Sequence, residues 1–296
     1  MASWVLVTGG AHRLGREMSL AFARAGWSVA CHYLRSAQAA EALCEEVRAL
    51  GVSAMAVPGE LADEASTRRM FDTVVAKTGL SLQCVVNNAS LFEPDTGRDF
   101  QEDLALAQMR VNLMAPMRLG KWLAVLHEGR GSPRFARDDE DAHVIARPKG
   151  PRQSFAEEGS PHYARDDVDP SVVHVLDQKV FNLNPDYFSY TVSKLALERL
   201  VSLQAQSLAP TLRVNAVAPG LMYLSGPQTP ENFARAARAN LLRHPIDPKD
   251  VARSAVFLAS TPSITGTTVR VDNGQHLVPL ARDVMFVVDE LFKDKP

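Results

Sequence analysis

Short apolar runs alternate with helical patterns along most of the chain, and this alternation constrains the fold more than any other feature. Runs at 4–8, 28–32 and 83–87 have the length of buried strands, and each is followed by a segment with helical periodicity. Strands that alternate with helices are typical of a parallel sheet covered by helices on both faces. Because crossover connections are right-handed, the sequence predicts a doubly wound α/β fold.

The second half of the chain continues the same rhythm after one interruption. Helices are predicted at 104–126, 187–208 and 248–259, and strands at 172–176, 213–217 and 268–271. We therefore expect one Rossmann-type domain over residues 1–296. Little periodicity is found at 129–170, which holds an acidic run and several prolines and glycines. This stretch is predicted to be an inserted, partly disordered surface loop, with room for a small hairpin at 143–146. The segment 221–242, rich in Pro, Gly and Ala, is predicted to be a mobile substrate lid.

Composition and charge argue against several classes of protein. The formal net charge of −2 gives no basic field for nucleic acid or a membrane surface. No run of about 20 apolar residues occurs, and the start of the chain lacks a signal peptide pattern, so a cytoplasmic protein is predicted. Three cysteines without metal-ligand spacing indicate reduced core thiols and no metal site.

A glycine-rich turn follows the first predicted strand. Thr8 is followed by Gly9-Gly10-Ala11-His12-Arg13-Leu14-Gly15, which opens the first helix. Glycines allow a tight turn and a close approach of the backbone to a pyrophosphate, and the helix presents free N–H groups to it. The position of the turn therefore predicts a dinucleotide site that includes Gly9, Arg13, Leu14 and Gly15.

The end of the second predicted strand indicates which dinucleotide binds. NAD-binding versions of this fold place an acidic residue there to accept from the ribose 2′-hydroxyl. This chain instead has His32-Tyr33-Leu34-Arg35-Ser36. Arg35 and Ser36, together with Arg13, offer donors suited to a 2′-phosphate, so NADPH is predicted, with His32 also at the site.

Two further groups of residues complete the predicted site. Asn88, Ala89 and Ser90 follow the fourth strand, where small side chains leave room for the cofactor. Tyr190 and Lys194 lie four residues apart and share a helix face. A nearby ammonium favours the phenolate, so we expect a lowered pKa for Tyr190 and an acid–base role for it. Asn112, in the preceding long helix, is predicted to hold a water that links Lys194 to solvent.

These motifs resemble those of the short-chain dehydrogenase/reductase family over nearly the whole chain, apart from 129–170. The resemblance implies a catalytic set of Tyr190, Lys194 and Asn112. It also implies that Pro219 and Gly220 close over the nicotinamide, with Leu221 next to the substrate. Family members usually form homotetramers through two long helices and the C-terminal strand, and the same assembly is expected here.

Four departures from the general family pattern resemble its pteridine reductases. Asp177 stands where the family usually has a serine that orients a substrate carbonyl, and Arg13 stands in the glycine motif. The segment 32–36 also matches, and Phe92 follows Ser90 where those enzymes stack an aromatic ring on the pterin. The stretch 177–185 is most similar to the bacterial dihydromonapterin and dihydrofolate reductase branch.

Three functions therefore stay open at this point. The first is NADPH-dependent reduction of a pterin, a dihydropterin or a dihydrofolate-like substrate, bound through Phe92, Asp177, Tyr190 and Leu221. The second is a short-chain carbonyl reductase of the ketoacyl type with an atypical Asp. The third is an NADPH-sensing binding protein without catalysis, against which the catalytic Tyr190, Lys194 and Asn112 argue.

Overall fold

A computed structural model describes residues 2–128, 169–224, 226 and 228–291. Its strands are β1 (Trp4–Val7), β2 (Ser28–Tyr33), β3 (Ala54–Pro58), β4 (Leu82–Asn87), β5 (Ser171–Val175), β6 (Arg213–Pro219) and β7 (Thr268–Val271). Its α-helices are α1 (Arg13–Arg24), α2 (Ala37–Ala49), α3 (Glu64–Thr78), α4 (Glu102–Met109), α5 (Ala115–His127), α6 (Phe188–Ser207), α7 (Pro230–Ala236), α8 (Pro248–Ser260) and α9 (Val284–Leu291).

The strands form one parallel sheet in the order β3-β2-β1-β4-β5-β6-β7. Alternation along each strand sends side chains to opposite faces. Val5 and Val7 pack against α1, α2 and α8, whereas Leu6 packs against α3 and α5. The strand order reverses between β1 and β4, which is where ligands bind in open sheets of this kind. The predicted doubly wound fold is confirmed.

Three local features differ from the prediction. The helix expected at 104–126 is divided by a π-helical turn at Arg110–Met114, between α4 and α5. The helix expected from 187 begins at Phe188, because Tyr187 has a left-handed backbone with φ of 54°. The sequence patterns did not indicate α9 at the C-terminal end. Periodicity cannot anticipate these features because they depend on contacts with distant residues.

Most of the predicted insertion at 129–170 lies outside the described residues, including the possible hairpin at 143–146. Within the ranges that the structure describes, no helix is both long and apolar enough to cross a bilayer. The predicted lid segment includes α7, and its first residue Leu221 packs near Val284 and Val288 of α9.

Candidate active site

A cavity of about 490 Å³ opens at the carboxyl ends of the central strands. It is bordered by the glycine turn, the end of β4, the segment after β5, the first turns of α6 and the segment after β6. The predicted site residues that line it are Gly9, Arg13, Leu14, Gly15, Asn88, Ala89, Ser90, Phe92, Asp177, Tyr190, Lys194, Pro219, Gly220 and Leu221. The structure thus brings most of the predicted site together.

The glycine turn packs tightly against the end of β4. Gly9 has a left-handed backbone with φ of +61°, and a Cβ on Gly15 would come within 2.1 Å of the Gly9 carbonyl oxygen. Neither position therefore tolerates a larger residue. The Asn88 amide donates to the carbonyls of Thr8 and Gly9, at 2.9 and 3.2 Å. These bonds hold the two predicted cofactor-binding segments in one fixed arrangement.

His32 supports this turn from behind. The Gly9 N–H donates to Nδ1 of His32 at 3.0 Å, so Nε2 carries the proton and donates to the carbonyl of Gly59 at 3.0 Å. Burial lowers the pKa of His32, which keeps the ring neutral. Since both ring nitrogens are bound to backbone groups, His32 acts by positioning Gly9.

A second cavity, of about 340 Å³, lies on the other side of Gly9. It is lined by His12, Arg35 and Ser36 together with His32 and apolar neighbours. None of the described residues that line this cavity is acidic. Its donors suit an anionic group and provide no carboxylate for a ribose 2′-hydroxyl.

Arg13 was predicted to hold the same phosphate as Arg35, but its side chain does not line this second cavity. Its guanidinium donates to the carbonyl of Leu224 at 2.7 Å and lies 5.7 Å from the ring centre of Tyr223. Its backbone is left-handed, with φ of 48°. This conformation directs the side chain from the glycine turn toward the predicted lid.

Tyr190 and Asp177 form a direct hydrogen-bonded pair in the main cavity. The Tyr190 hydroxyl donates to Oδ2 of Asp177 at 2.9 Å, and Oδ1 of Asp177 accepts from the backbone N–H of Lys179 at 2.8 Å. Asp177 therefore caps the short helix Gln178–Phe181 as well as facing Tyr190. Burial raises the pKa of Asp177, which favours a protonated carboxyl at higher pH than usual.

The expected lowering of the Tyr190 pKa is wrong. Burial and the neighbouring Asp177 carboxylate raise that pKa well above its usual value. The Lys194 ammonium, which was expected to favour the phenolate, donates to the carbonyl of Val175 at 2.7 Å. It lies 5.7 Å from the centre of the Tyr190 ring, and burial lowers its pKa to about 8. The Tyr190 hydroxyl therefore keeps its proton at neutral pH.

Asn112 lies in the π-helical turn, and protein groups occupy its whole amide. Its carbonyl oxygen accepts from Leu91 N and Ser90 Oγ, and its amino group donates to Leu91 O and Ser193 Oγ. An amide has two donors and two acceptor positions, so the side chain has no capacity left for the predicted water. It instead fixes the segment after β4 against α6.

Phe92 lies at the wall of the cavity among aromatic residues. Its ring is stacked on Tyr187, with centres 4.2 Å apart, and meets the Tyr190 ring edge-on at 4.6 Å. Tyr187 thus covers one face of Phe92. Sequence reasoning missed Tyr187, Lys179 and Asp283, which also line the cavity. Of these three residues, only Lys179 lies within 177–185, the stretch that resembles the dihydromonapterin and dihydrofolate reductase branch.

Comparison with known proteins identifies similar chains along nearly the whole length. A family model for short chain dehydrogenase matches residues 3–131, and one for enoyl-(acyl carrier protein) reductase matches residues 158–276. The 3-oxoacyl-[acyl-carrier-protein] reductase FabG of Staphylococcus aureus is 26% identical, over 94% of this chain and 99% of its own. The dihydromonapterin reductase of an Enterobacter strain is 24% identical, over 92% and 96%.

Solved structures are similar as well. The FolM alternative dihydrofolate reductase 1 of Brucella canis, complexed with NADP, is 31% identical with a TM-score of 0.75, covering 93% of this chain and 94% of that one. The Brucella suis enzyme of the same name, also with NADP, is 30% identical with a TM-score of 0.76, covering 93% and 95%.

Proposed function

The chain belongs to the short-chain dehydrogenase/reductase family, and on this premise we propose that it is an NADPH-dependent reductase of a pterin-like substrate, either a dihydropterin or a dihydrofolate-like molecule. One observation carries the proposal. Asp177 stands in the place of the family's usual serine and accepts a 2.9 Å hydrogen bond from the catalytic Tyr190. Either reduction takes up one proton, which Tyr190 can give. A serine adds only a neutral donor to a carbonyl oxygen, whereas a carboxyl at Asp177 adds a second acid that can replace the proton given to a ring nitrogen.

The residues present fit NADPH. Gly9 and Gly15 hold a turn that a Cβ would disrupt, next to the first turn of α1. The second cavity offers Arg35, Ser36 and His12 to a 2′-phosphate, without a carboxylate among its described lining residues. The similar Brucella structures were solved with NADP, which supports the same choice.

When bound, NADPH supplies the hydride that reduces the C=N bond. The chain's own groups supply the proton. For this transfer the Tyr190 hydroxyl turns from Oδ2 of Asp177 to the ring nitrogen and gives up its proton, and protonated Asp177 then donates a proton back to Tyr190 across the same 2.9 Å contact. The raised pKa of Asp177 makes this form available at higher pH than for an exposed carboxyl. Lys194 supplies a positive charge beside the pair, and the aromatic wall at Phe92 provides apolar surface for a flat ring.

A ketoacyl-type carbonyl reductase is the second candidate. Similarity to the FabG enzymes over nearly the whole chain favours it. The Asp177–Tyr190 pair favours a pterin substrate, since a carbonyl reductase does not need a second acid next to its tyrosine. The third possibility, a sensor without catalysis, has no support in the geometry, because Tyr190, Asp177 and Lys194 all line one cavity.

The assembly and location of the protein are also part of the proposal. By resemblance to the family we propose a homotetramer built on the long helices and β7, in the cytoplasm. Exposed apolar residues on the outer faces of these helices, such as Val125 and Leu203, support an interface there. Light scattering on the purified protein distinguishes a tetramer from a monomer.

NADPH oxidation against a panel of substrates tests the function. The panel contains dihydropterins, dihydrofolate, quinonoid pterins, simple ketones and a ketoacyl thioester. We expect turnover of reduced pterins with NADPH at a kcat/KM at least about 100-fold above that for the ketones, the size of one positioned acid–base group. Preference for the ketoacyl thioester would establish the second candidate instead.

A further inference from the structure

We propose that Asp283, held by Lys179, determines which pterin this enzyme accepts, favouring a neutral, hydroxylated side chain over an anionic glutamate tail. The inference rests on the proposed function and deepens it. The proposed function includes two kinds of substrate, dihydropterins with hydroxyalkyl groups and dihydrofolate, and this inference distinguishes between them.

Asp283 and Lys179 form a polar patch in the main cavity that catalysis does not use. The Lys179 ammonium lies 3.3 Å from Oδ2 of Asp283 and also contacts Oδ1 of Asn184. Only 4% of the Lys179 side chain is exposed, compared with 24% for Asp283. The lysine is therefore a buried support, and the carboxylate is the group that a ligand in the cavity can reach.

A rigid connection holds Asp283 in place. Its backbone N–H donates to Asp186 at 2.7 Å, and the guanidinium of the neighbouring Arg282 makes a two-pronged ion pair with the same buried carboxylate. The start of α9 is thus fastened to the turn before α6. The Asp283 carboxylate itself accepts from the Met285 N–H at 3.3 Å and is paired with Lys179, so it is preorganised for recognition.

The chemistry of the substrate determines what lies beside this patch. In dihydropterins and dihydrofolate, the nitrogen that receives the proton is bonded to the carbon that receives the hydride, and that carbon carries the side chain. When Tyr190 and Asp177 protonate that nitrogen, the substrate side chain on the adjacent carbon therefore lies close to these two residues. Asp177 is joined directly to this patch, because Lys179 donates its backbone N–H to the Asp177 carboxylate at 2.8 Å.

The charges here suit hydroxyl groups and oppose carboxylates. A carboxylate accepts charge-assisted hydrogen bonds from hydroxyls. Dihydrofolate offers no hydroxyl here, because its side chain begins with a neutral methylene-aminobenzoyl group, and the glutamate beyond that group carries the same sign of charge as Asp283. The described arginine and lysine residues that line the cavity are already engaged. Arg13 bonds to Leu224 O, Lys179 to Asn184 and Asp283, and Lys194 to Val175 O.

The test compares three substrates at saturating NADPH: a dihydropterin with a polyhydroxyalkyl group, 6-methyl-dihydropterin, and dihydrofolate. We expect wild-type kcat/KM for the hydroxylated substrate to exceed that for dihydrofolate by about 10-fold or more, as one charge-assisted contact implies. Asp283→Asn should reduce this ratio by about 10-fold. The variant's decrease in kcat/KM should be at least about 5-fold larger for the hydroxylated substrate than for 6-methyl-dihydropterin.

Two further measurements separate recognition from a general structural effect. Raising the salt from about 0.01 to 0.15 M shortens the screening length from about 30 to 8 Å. Wild-type kcat/KM for dihydrofolate should then rise relative to that for 6-methyl-dihydropterin. Asp103→Asn, which changes an exposed carboxylate on α4, is the matched control and should leave the substrate ratio unchanged.

The outcomes are distinct. No turnover of any pterin by the wild-type enzyme would refute the proposed function itself. Turnover of pterins with dihydrofolate equal or preferred, or an unchanged ratio in Asp283→Asn, would refute the assignment of Asp283 and leave the pteridine reductase in place. A ratio insensitive to salt in the wild-type enzyme would also count against Asp283, even if the variant failed to fold.

Discussion

At the scale of single residues, the proposed pterin reduction depends on Asp177 and on its hydrogen bond with Tyr190. Asp177→Ser keeps a small hydroxyl donor but removes the acid. Pterin turnover should fall by about 100-fold or more, as expected for a positioned acid–base group, while ketone turnover should hold or rise. Tyr190→Phe should damage both reactions. Steady-state kinetics with both substrate classes checks this, and unchanged pterin reduction with lost ketone reduction would favour the carbonyl reductase.

The same pair predicts the pH dependence of pterin reduction. The active form holds a proton on Asp177, whose pKa burial raises, and the Tyr190 pKa is higher still. Activity should therefore be full on the acidic side and fall as pH rises through the apparent pKa of the coupled pair. Deprotonation of Lys194, whose pKa burial lowers to about 8, should add to the fall. Profiles of kcat/KM from pH 5 to 9 test it; a rate that increases with pH contradicts a proton-donating Asp177.

Cofactor choice is a third property of single residues. Arg35 is exposed and lines the second cavity with Ser36. Arg35→Ala should weaken the binding of NADPH by about 10- to 100-fold, the equivalent of one charge-assisted contact, and leave the binding of NADH nearly unchanged. Fluorescence titration with both cofactors measures this. Equal losses for the two would remove Arg35 from the 2′-phosphate site.

At the scale of elements, the structure joins the start of α1 to the predicted lid through Arg13. Loss of its 2.7 Å bond to Leu224 O in Arg13→Ala should increase hydrogen exchange at residues 222–224 and raise the KM of the substrate. Arg16→Ala removes an arginine of the same helix that pairs with Glu46, and is the matched control. If Arg13→Ala instead weakens the binding of NADPH and leaves that of NADH unchanged, Arg13 contacts the 2′-phosphate as the sequence predicts.

For the whole molecule, the described residues on either side of the insertion lie at the edge of the sheet opposite the cavity. The chain leaves α5 at His127 and enters β5 at Ser171, at the amino end of that strand. Asp177 lies beyond the opposite end, where the cavity opens. Deletion of residues 134–166 should therefore leave kcat within about 3-fold, since no group that performs the proton transfer is lost. Thermal melting and light scattering serve as controls for folding and assembly, and a large loss of kcat with both unchanged would contradict the prediction.

Local periodicity and fixed spacing were enough to predict the doubly wound fold, the glycine turn, and the helix face that Tyr190 and Lys194 share. The sequence also indicated Asp177 by its departure from a family pattern. The direction of the Tyr190 pKa shift required the folded structure, since it depends on burial and on a carboxylate 13 residues away. The folded structure likewise decided that Arg13 reaches Leu224, that the Asn112 amide is fully bonded, and that Asp283 enters the site. Each of these depends on contacts between residues far apart in the chain, which no local pattern encodes.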